Sequence, residues 1–161
     1  MSRATNEIRI TPSVLDRLID YEPEISSESH RSRLRGLREL KQAVKRDLEW
    51  LLNTRQPIEP PSAELKELNS SVAVYGLPDF TSLNAKNRTD QNRMRRAVEA
   101  AIRVFEPRLV NVAVTLEAMR ENERLMRFRI DAHLKVEPAP EPITFDTVLQ
   151  LDNGQYLVRE E

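Results

Sequence analysis

Cysteine is absent from this chain of 161 residues, and glycine occurs only at Gly36, Gly76 and Gly154. Without cysteine the chain has neither a disulfide framework nor a thiolate metal site. Three widely separated glycines do not supply a glycine-rich loop whose backbone amides bind a phosphate group. We therefore expect no cofactor.

Histidines and long apolar runs are also scarce. His30 falls in a polar linker and His133 on the polar face of a predicted strand, so solvated side chains are a better interpretation than metal ligands. No apolar run approaches the ~18 residues of a membrane span, and the start, MSRATNEIRI, lacks the apolar core of a signal peptide. We expect a cytoplasmic protein with no metal and no membrane insertion.

An excess of positive charge is missing too, because 25 Lys and Arg face 26 Asp and Glu. This balance argues against a globally basic nucleic-acid-binding protein. Residues 31–46 are locally basic, but few aromatic residues lie near them, which weakens single-strand binding by stacking. A solvated helix face is the better interpretation, and we expect no nucleic-acid partner.

Apolar residues recur at helical spacing in three segments. TPSVLDRLID predicts a short first helix with Thr11 as its cap and Pro12 in its first turn. RSRLRGLRELKQAVKRDLEWLLNTR predicts a long helix that ends before the prolines of QPIEPP. TDQNRMRRAVEAAIRVFE predicts a third helix, capped by Thr89 or Asp90. Between the last two, a short helical turn and an extended piece at 72–75 are expected.

After this third helix the apolar period changes from helical to alternating. Four segments predict strands: residues 110–116, MRFRIDAHLKV, ITFDTVLQL and QYLVRE. Asn153 and Gly154 predict a two-residue turn that pairs Leu151 with Tyr156 and Leu149 with Val158. The fold class is α+β, with N-terminal helices packed on a four-strand antiparallel sheet formed by the C-terminal half.

The chain is long enough for one domain with its own core. We therefore expect a single domain over residues 1–161, with residues 1–11 as a flexible tail.

Carboxylates are the main candidates for catalysis. A glycosidase needs two of them about 5–10 Å apart in a cleft, and Glu49, Glu99 and Glu106 are candidates. Solvated helix faces remain the better interpretation. Asp47 is unusual because it falls inside the apolar stripe of the long helix, where it must be paired or lie at an edge. Arg55 lies at a similar angle two turns later, which indicates a local structural anchor.

Glu106, Pro107 and Arg108 form a charged corner between the third helix and the first strand. Pro107 ends the helix and restricts Glu106 to an extended conformation. The two charges are then either displayed for hydrogen bonds with a partner or bonded to the domain's own backbone as an internal clamp. The residues alone leave both interpretations open.

Five segments occur in the order SVLDRL, RDLEWLLNTR, VYGLPDF, AIRVFEPRL and EPAPEPITFDTVLQLDNGQYLV. Together they resemble the TssE family, the wedge component of the bacterial type VI secretion baseplate. That family is similar to the small wedge proteins of contractile phage tails, a group often labelled lysozyme-like. The resemblance covers about residues 13–158.

The resemblance implies a structural, non-enzymatic protein at the cytoplasmic side of the secretion apparatus. Expected partners are the baseplate proteins TssF, TssG and TssK, and the sheath proteins TssB and TssC, whose subunits join by exchanging strands. The family's Glu-Pro-Arg motif matches Glu106, Pro107 and Arg108 and is implied to contact the TssF–TssG wedge. We expect the last hairpin, residues 143–159, to start the sheath. A lysozyme-like cell-wall glycosidase is the alternative function.

Overall fold

The computed structural model describes residues 10, 13–19, 24, 33–57, 61–80, 84, 87–117, 125–150 and 154–160. It confirms the α+β class, with helices before a four-strand antiparallel sheet. The helices are α1 (Val14–Leu18), α2 (Arg33–Asn53), α3 (Lys66–Asn69), a 3-10 turn (Val72–Val74) and α4 (Arg88–Phe105). The strands are β1 (Leu109–Leu116), β2 (Leu125–Leu134), β3 (Glu141–Gln150) and β4 (Tyr156–Glu160).

The core lies between the two long helices and one face of the sheet. Helix α4 packs against β1, α2 packs against β4, and the two helices contact each other. The apolar stripe of α2 contributes Val44, Leu48 and Leu52, all fully buried. Burying one such side chain contributes about 1.5–3 kcal/mol, so these stripes hold the helices on the sheet. Among the described residues, no helix is both long and apolar enough to span a membrane.

The sheet is a simple meander in the order β1-β2-β3-β4. Strand β2 follows its predicted alternation, since Met126, Phe128, Ile130, Ala132 and Leu134 are all buried. Its neighbour β3 also buries alternate residues. One apolar residue in every two is enough to cover a single core face, which is why the sequence pattern was informative here.

Strand β1 departs from its predicted alternation at a bulge. Val110 pairs with His133 and Ala113 with Asp131, so two residues of β1 oppose one of β2. Asn111 takes the left-handed backbone conformation at φ 55°, which asparagine tolerates better than most residues. The bulge turns Val110 away from the core and lets Leu109 enter it.

The predicted register of the last hairpin is wrong by two residues. Tyr156 pairs with Leu149 rather than with Leu151, and Val158 pairs with Thr147 rather than with Leu149. The N–H of Gln150 donates to the carbonyl of Gln155 at 2.8 Å, which leaves a four-residue connection. Because side chains alternate with period two, the slip keeps the apolar residues on the core face.

Gly154 closes that connection with a positive φ of 68°, and its N–H donates to the carbonyl of Gln150 at 2.8 Å. A positive φ of this size favours glycine. Asn153, the other predicted turn residue, lies outside the described residues, as does Leu151.

The outer edge of β4 is covered by side chains of α2. Asn53 accepts a hydrogen bond from the N–H of Tyr156 and donates one to its carbonyl, both at 2.9 Å. Glu49 accepts one from the N–H of Val158 at 3.2 Å. Nearer the start of α2, Lys41 forms an ion pair with Glu160 at 3.3 Å. These contacts satisfy edge groups that would otherwise be open to another strand.

Helix starts and the linker differ from the predictions. Ser13 caps α1 in a reciprocal capping box with Asp16; the predicted cap Thr11 and Pro12 lie outside the described residues. Asn87, not Thr89 or Asp90, caps α4 by accepting from the N–H of Thr89 at 2.8 Å.

The expected extended piece at 72–75 begins instead as the 3-10 turn, because Ser71 accepts from the N–H of Ala73 and holds it closed. Within the predicted tail, Ile10 packs against the core. Residues 1–9 and 11 lie outside the described residues.

Candidate functional site

The corner between α4 and β1 is fixed by its own backbone. Glu106 ends α4 and donates its N–H to the carbonyl of Ile102 at 2.9 Å. Its carbonyl accepts from the N–H of Leu109 at 3.0 Å, across exposed Pro107. The carbonyl of Arg108 accepts from the N–H of Lys135 at 2.8 Å, which ties the corner to the end of β2. The chain therefore reverses in a short turn held by three backbone hydrogen bonds.

The side chain of Arg108 bridges the corner and helix α2. Its Nε and Nη2 donate to the two carboxylate oxygens of Glu106 at 2.6 and 2.5 Å. Its Nη2 also donates to Oδ2 of Asp47 at 2.5 Å. A guanidinium fork on a carboxylate is among the stronger charge-assisted arrangements, so Arg108 fixes the corner to a helix 61 residues earlier in the chain.

Two more charged residues extend this arrangement towards α1. Arg46 donates from Nε to Asp47 at 2.9 Å and from Nη2 to Asp16 at 2.8 Å. Asp16 also pairs with Nη1 of Arg108 at 3.5 Å. We call Asp16, Arg46, Asp47, Glu106 and Arg108 the corner cluster; it holds three carboxylates and two guanidinium groups.

Burial and charge shift the pKa values of Arg108, Asp16 and Tyr75. Burial alone would lower the pKa of Arg108, but hydrogen bonds and charge from Glu106, then from Asp47, raise it. Burial tends to raise the pKa of Asp16, yet hydrogen bonds from Ser13 and Arg46 outweigh it and lower that pKa. The pKa of Tyr75 is raised by burial first, then by the charges of Asp47 and Glu106. Arg108 therefore remains a fixed positive charge.

The three predicted partner-binding residues differ in how far they are exposed to solvent. The Glu106 side chain is only 4% exposed and is not displayed to solvent. Pro107 is exposed, and the Arg108 side chain keeps 18% of its surface. In the chain alone both charges are engaged internally, as the clamp interpretation expects, but largely through side chains rather than backbone. Contact of this corner with a partner stays a prediction.

The interpretation of Asp47 and Arg55 as one local anchor is wrong. Asp47 pairs with Arg46 and Arg108. Arg55 instead donates to the carbonyl of Gly154 at 2.9 Å and supports the last hairpin. The helical angle correctly indicated that Asp47 needs a partner, but its partner Arg108 comes from a distant segment that a helical wheel does not contain.

Sequence reasoning missed Asp16 and Arg46 as members of the cluster. Asp16 lies in the short helix α1, whose sequence pattern predicts an apolar face but gives no indication of an ion pair. Arg46 belongs to the locally basic stretch 31–46, and it is the member of that stretch that pairs with Asp47. The one sequence signal for the cluster was Asp47, a carboxylate in the apolar stripe of α2 that directly follows Arg46.

Each of the three glycosidase candidates is engaged in a different internal contact. Glu49 accepts from β4, Glu99 pairs with Arg95 and Arg103, and Glu106 holds Arg108. A cleft of about 320 Å³ lies between the N-terminal half of α4 and residues 114–116, and none of the described residues lining it is acidic. The described residues also contain no group of His, Asp or Glu that fits a metal ion.

Comparison with known protein families gives a match over the central part of the chain. Residues 38–139 match the family described as Baseplate wedge protein gp25. The matched span begins within α2 and ends just before β3, and it contains four of the five members of the corner cluster, Asp16 being the exception. No curated protein matches the chain.

Proposed function

The chain belongs to the baseplate wedge protein gp25 family, and from this premise we propose that it is the TssE-like wedge protein of a bacterial type VI secretion baseplate. A gp25-like protein has a structural role in a phage-tail-like baseplate. The finer assignment to a type VI system is supported by the ordered segments from SVLDRL to the last hairpin. The corresponding location is the cytoplasmic side of the apparatus.

The corner cluster is the observation that carries the proposed partner contact. Glu106 holds Arg108 from the buried side, while the side chains of Arg46 and Asp47 keep 24% and 21% of their surface and Arg108 keeps 18%. We propose that Glu106 positions Arg108 and that Arg108, with exposed Pro107, meets the TssF–TssG wedge. TssK is expected in the same baseplate.

A second proposed surface is the last hairpin, which would meet the TssB–TssC sheath. Pairing of a sheath strand with β4 requires Asn53 and Glu49 to release the backbone of Tyr156 and Val158. Removing residues 155–161 should block sheath initiation while wedge binding survives. Circular dichroism of the truncated protein separates loss of the surface from loss of the fold. Normal sheath initiation by a folded truncation would contradict this surface.

We propose that the protein is not an enzyme. Its three candidate carboxylates are each engaged in internal contacts. A glycosidase instead needs two carboxyl groups that are free to act on either side of the scissile bond. A muramidase assay on the purified protein should show no activity. Activity lost in a Glu49→Gln, Glu99→Gln or Glu106→Gln variant would instead support the lysozyme-like alternative.

The wedge contact is tested with Arg108→Lys. This change keeps the positive charge but removes the fork that grips Glu106 and Asp47. We expect binding to the TssF–TssG complex to weaken by about 30-fold or more, which corresponds to the minimum of about 2 kcal/mol expected for an interfacial charge pair. Arg103→Lys is the matched control, because the Arg103 side chain is 60% exposed.

Melting curves accompany these measurements. A folded Arg108→Lys variant that binds the wedge like the wild type would contradict the corner as the contact site. Equal weakening by Arg103→Lys would indicate a nonspecific charge effect.

A further inference from the structure

Helix α1 is attached to the domain by charge more than by apolar burial. Of the described residues of α1, none is buried, and Val14 and Leu18 are 70% and 76% exposed. Asp16 ties it to Arg46 at 2.8 Å and to Arg108 at 3.5 Å. A segment held by partly exposed ion pairs is weakly held, because such pairs contribute little to stability.

Asp16 is the surplus carboxylate of the corner cluster. Asp47 pairs with both guanidinium groups, and Glu106 pairs with Arg108. These two carboxylates already balance the two positive charges. Asp16 adds a third negative charge. If another carboxylate took its position, the net charge of the cluster would stay the same.

The position of Asp16 has the geometry of a carboxylate-binding site. Arg46 donates to Oδ1 of Asp16 at 2.8 Å, and Nη1 of Arg108 lies 3.5 Å from its Oδ2. Among the described residues, the buried Nη1 of Arg108 has no hydrogen-bond partner, since 3.5 Å is too long for a good one. A carboxylate that came closer would satisfy this donor.

We propose that Asp16 is a place-holder and α1 a displaceable strap, and that an acidic side chain of the wedge partner takes its place between Arg46 and Arg108. This rests on the proposed function. Trp50 lies beside the site, 53% exposed, with the Arg46 guanidinium 5.0 Å from its ring centre. The partner segment therefore carries an acidic residue next to an apolar one that packs on Trp50.

The strap is tested by trypsin cleavage after exposed Arg17. Asp16→Asn removes the charge of the place-holder, and Arg46→Gln removes its main partner. Both should release α1 and speed this cleavage about fivefold. Arg38→Gln is the control, because Arg38 is exposed on the same helix as Arg46, and it should leave cleavage unchanged. Unchanged cleavage in both test variants would overturn the strap.

The place-holder is tested by titrating the same variants with the purified TssF–TssG complex. Asp16→Asn should tighten binding about fivefold, because the partner no longer competes with α1. Arg46→Gln should weaken binding about tenfold, although it releases α1 equally, because it removes half of the site. If release of α1 were the only effect, Asp16→Asn and Arg46→Gln would change the affinity in the same direction. Opposite changes therefore support the place-holder.

The outcomes separate this proposal from the one beneath it. Equal affinity of wild type and Asp16→Asn overturns the place-holder and leaves the wedge contact standing. Weaker binding by both Asp16→Asn and Arg46→Gln makes α1 part of the contact surface, which also overturns it. Absence of binding by wild type, Arg38→Gln and Asp16→Asn alike overturns the wedge contact itself.

Discussion

Two ion-pair clusters lie near each other in the chain, one within α4 and one just past its end, and they differ in what they join. Glu99 pairs with Arg95 and Arg103, each one helical turn away. The corner cluster, just past the end of α4, reaches Asp47 on α2 across 61 residues of chain. The Arg103 side chain is 60% exposed, whereas the Glu106 side chain is 4% exposed.

This difference separates local from tertiary electrostatics. A pair one turn apart within a helix gains about 0.3–0.5 kcal/mol, and in the local cluster water screens the exposed Arg103. A buried pair is costly to break, since a charge left without its partner stays desolvated. The local cluster therefore supports one helix, while the corner cluster fixes the position of a helix end, a strand start and a second helix.

The largest expected effect is that of Glu106→Ala. It leaves Arg108, whose side chain is 18% exposed, with only partial compensation, and we expect a loss of about 3 kcal/mol in the free energy of unfolding, the lower end for a buried pair. Urea titration measures it, and Glu106→Gln, which keeps the shape and one acceptor, should lose less. A loss below ~1 kcal/mol would mean that the corner cluster stabilises the fold no more than the local pairs of Glu99 do.

Asp47→Ala should have an intermediate effect, about 1–3 kcal/mol. Arg108 keeps its fork on Glu106, so the remaining charge is only partly unpaired. Combining Asp47→Ala with Glu106→Ala should give a non-additive loss in the same urea titration. Simple additivity would mean that the two carboxylates act independently on Arg108.

Glu99→Gln should cost less than about 1 kcal/mol. Its pairs lie within one helix, and Arg103 also donates to the carbonyl of Val112 at 3.1 Å, which holds its position. The loss should shrink further in concentrated salt, as expected for screened pairs. Thermal melts at low and high salt check this. A larger loss than for Asp47→Ala would reverse the comparison.

The smallest expected effect is a pH dependence that belongs to the corner cluster. The pKa of Asp16 is lowered, burial being outweighed by hydrogen bonds from Ser13 and Arg46. Its contribution to stability is therefore present above the unfolded pKa of about 3.9 and is lost as pH falls through the folded value. Between pH 6 and 3, wild type should lose slightly more stability than Asp16→Asn. Parallel losses would show that Asp16 contributes nothing through its charge.

The helices and strands were largely predictable, because each buries one apolar face whose period can be read locally. Strand β2 shows this best, with five alternate residues buried as expected. The last hairpin shows the limit. A shift of two residues leaves the same side chains on the same face, so the apolar pattern could not distinguish a two-residue turn from the observed connection.

The candidate site was predictable only in part. Glu106, Pro107 and Arg108 stood out because a proline between opposite charges follows a helix. The need of Asp47 for a partner was also visible. Their pairing was not, since it depends on how α2 and α4 pack against the same sheet. Asp16 and Arg46 were missed for the same reason: their contacts join segments that are separate in sequence.

The contacts that cover β4 also have a mechanical consequence. In a meander, the last strand is bonded to one neighbour, so a pull on the C-terminal end would open that ladder one rung at a time. Here Lys41, Glu49 and Asn53 of α2 hold the other side of β4 at Glu160, Val158 and Tyr156. A load applied to this end must break both rows together and is passed to the longest helix of the described structure, so the strand resists peeling.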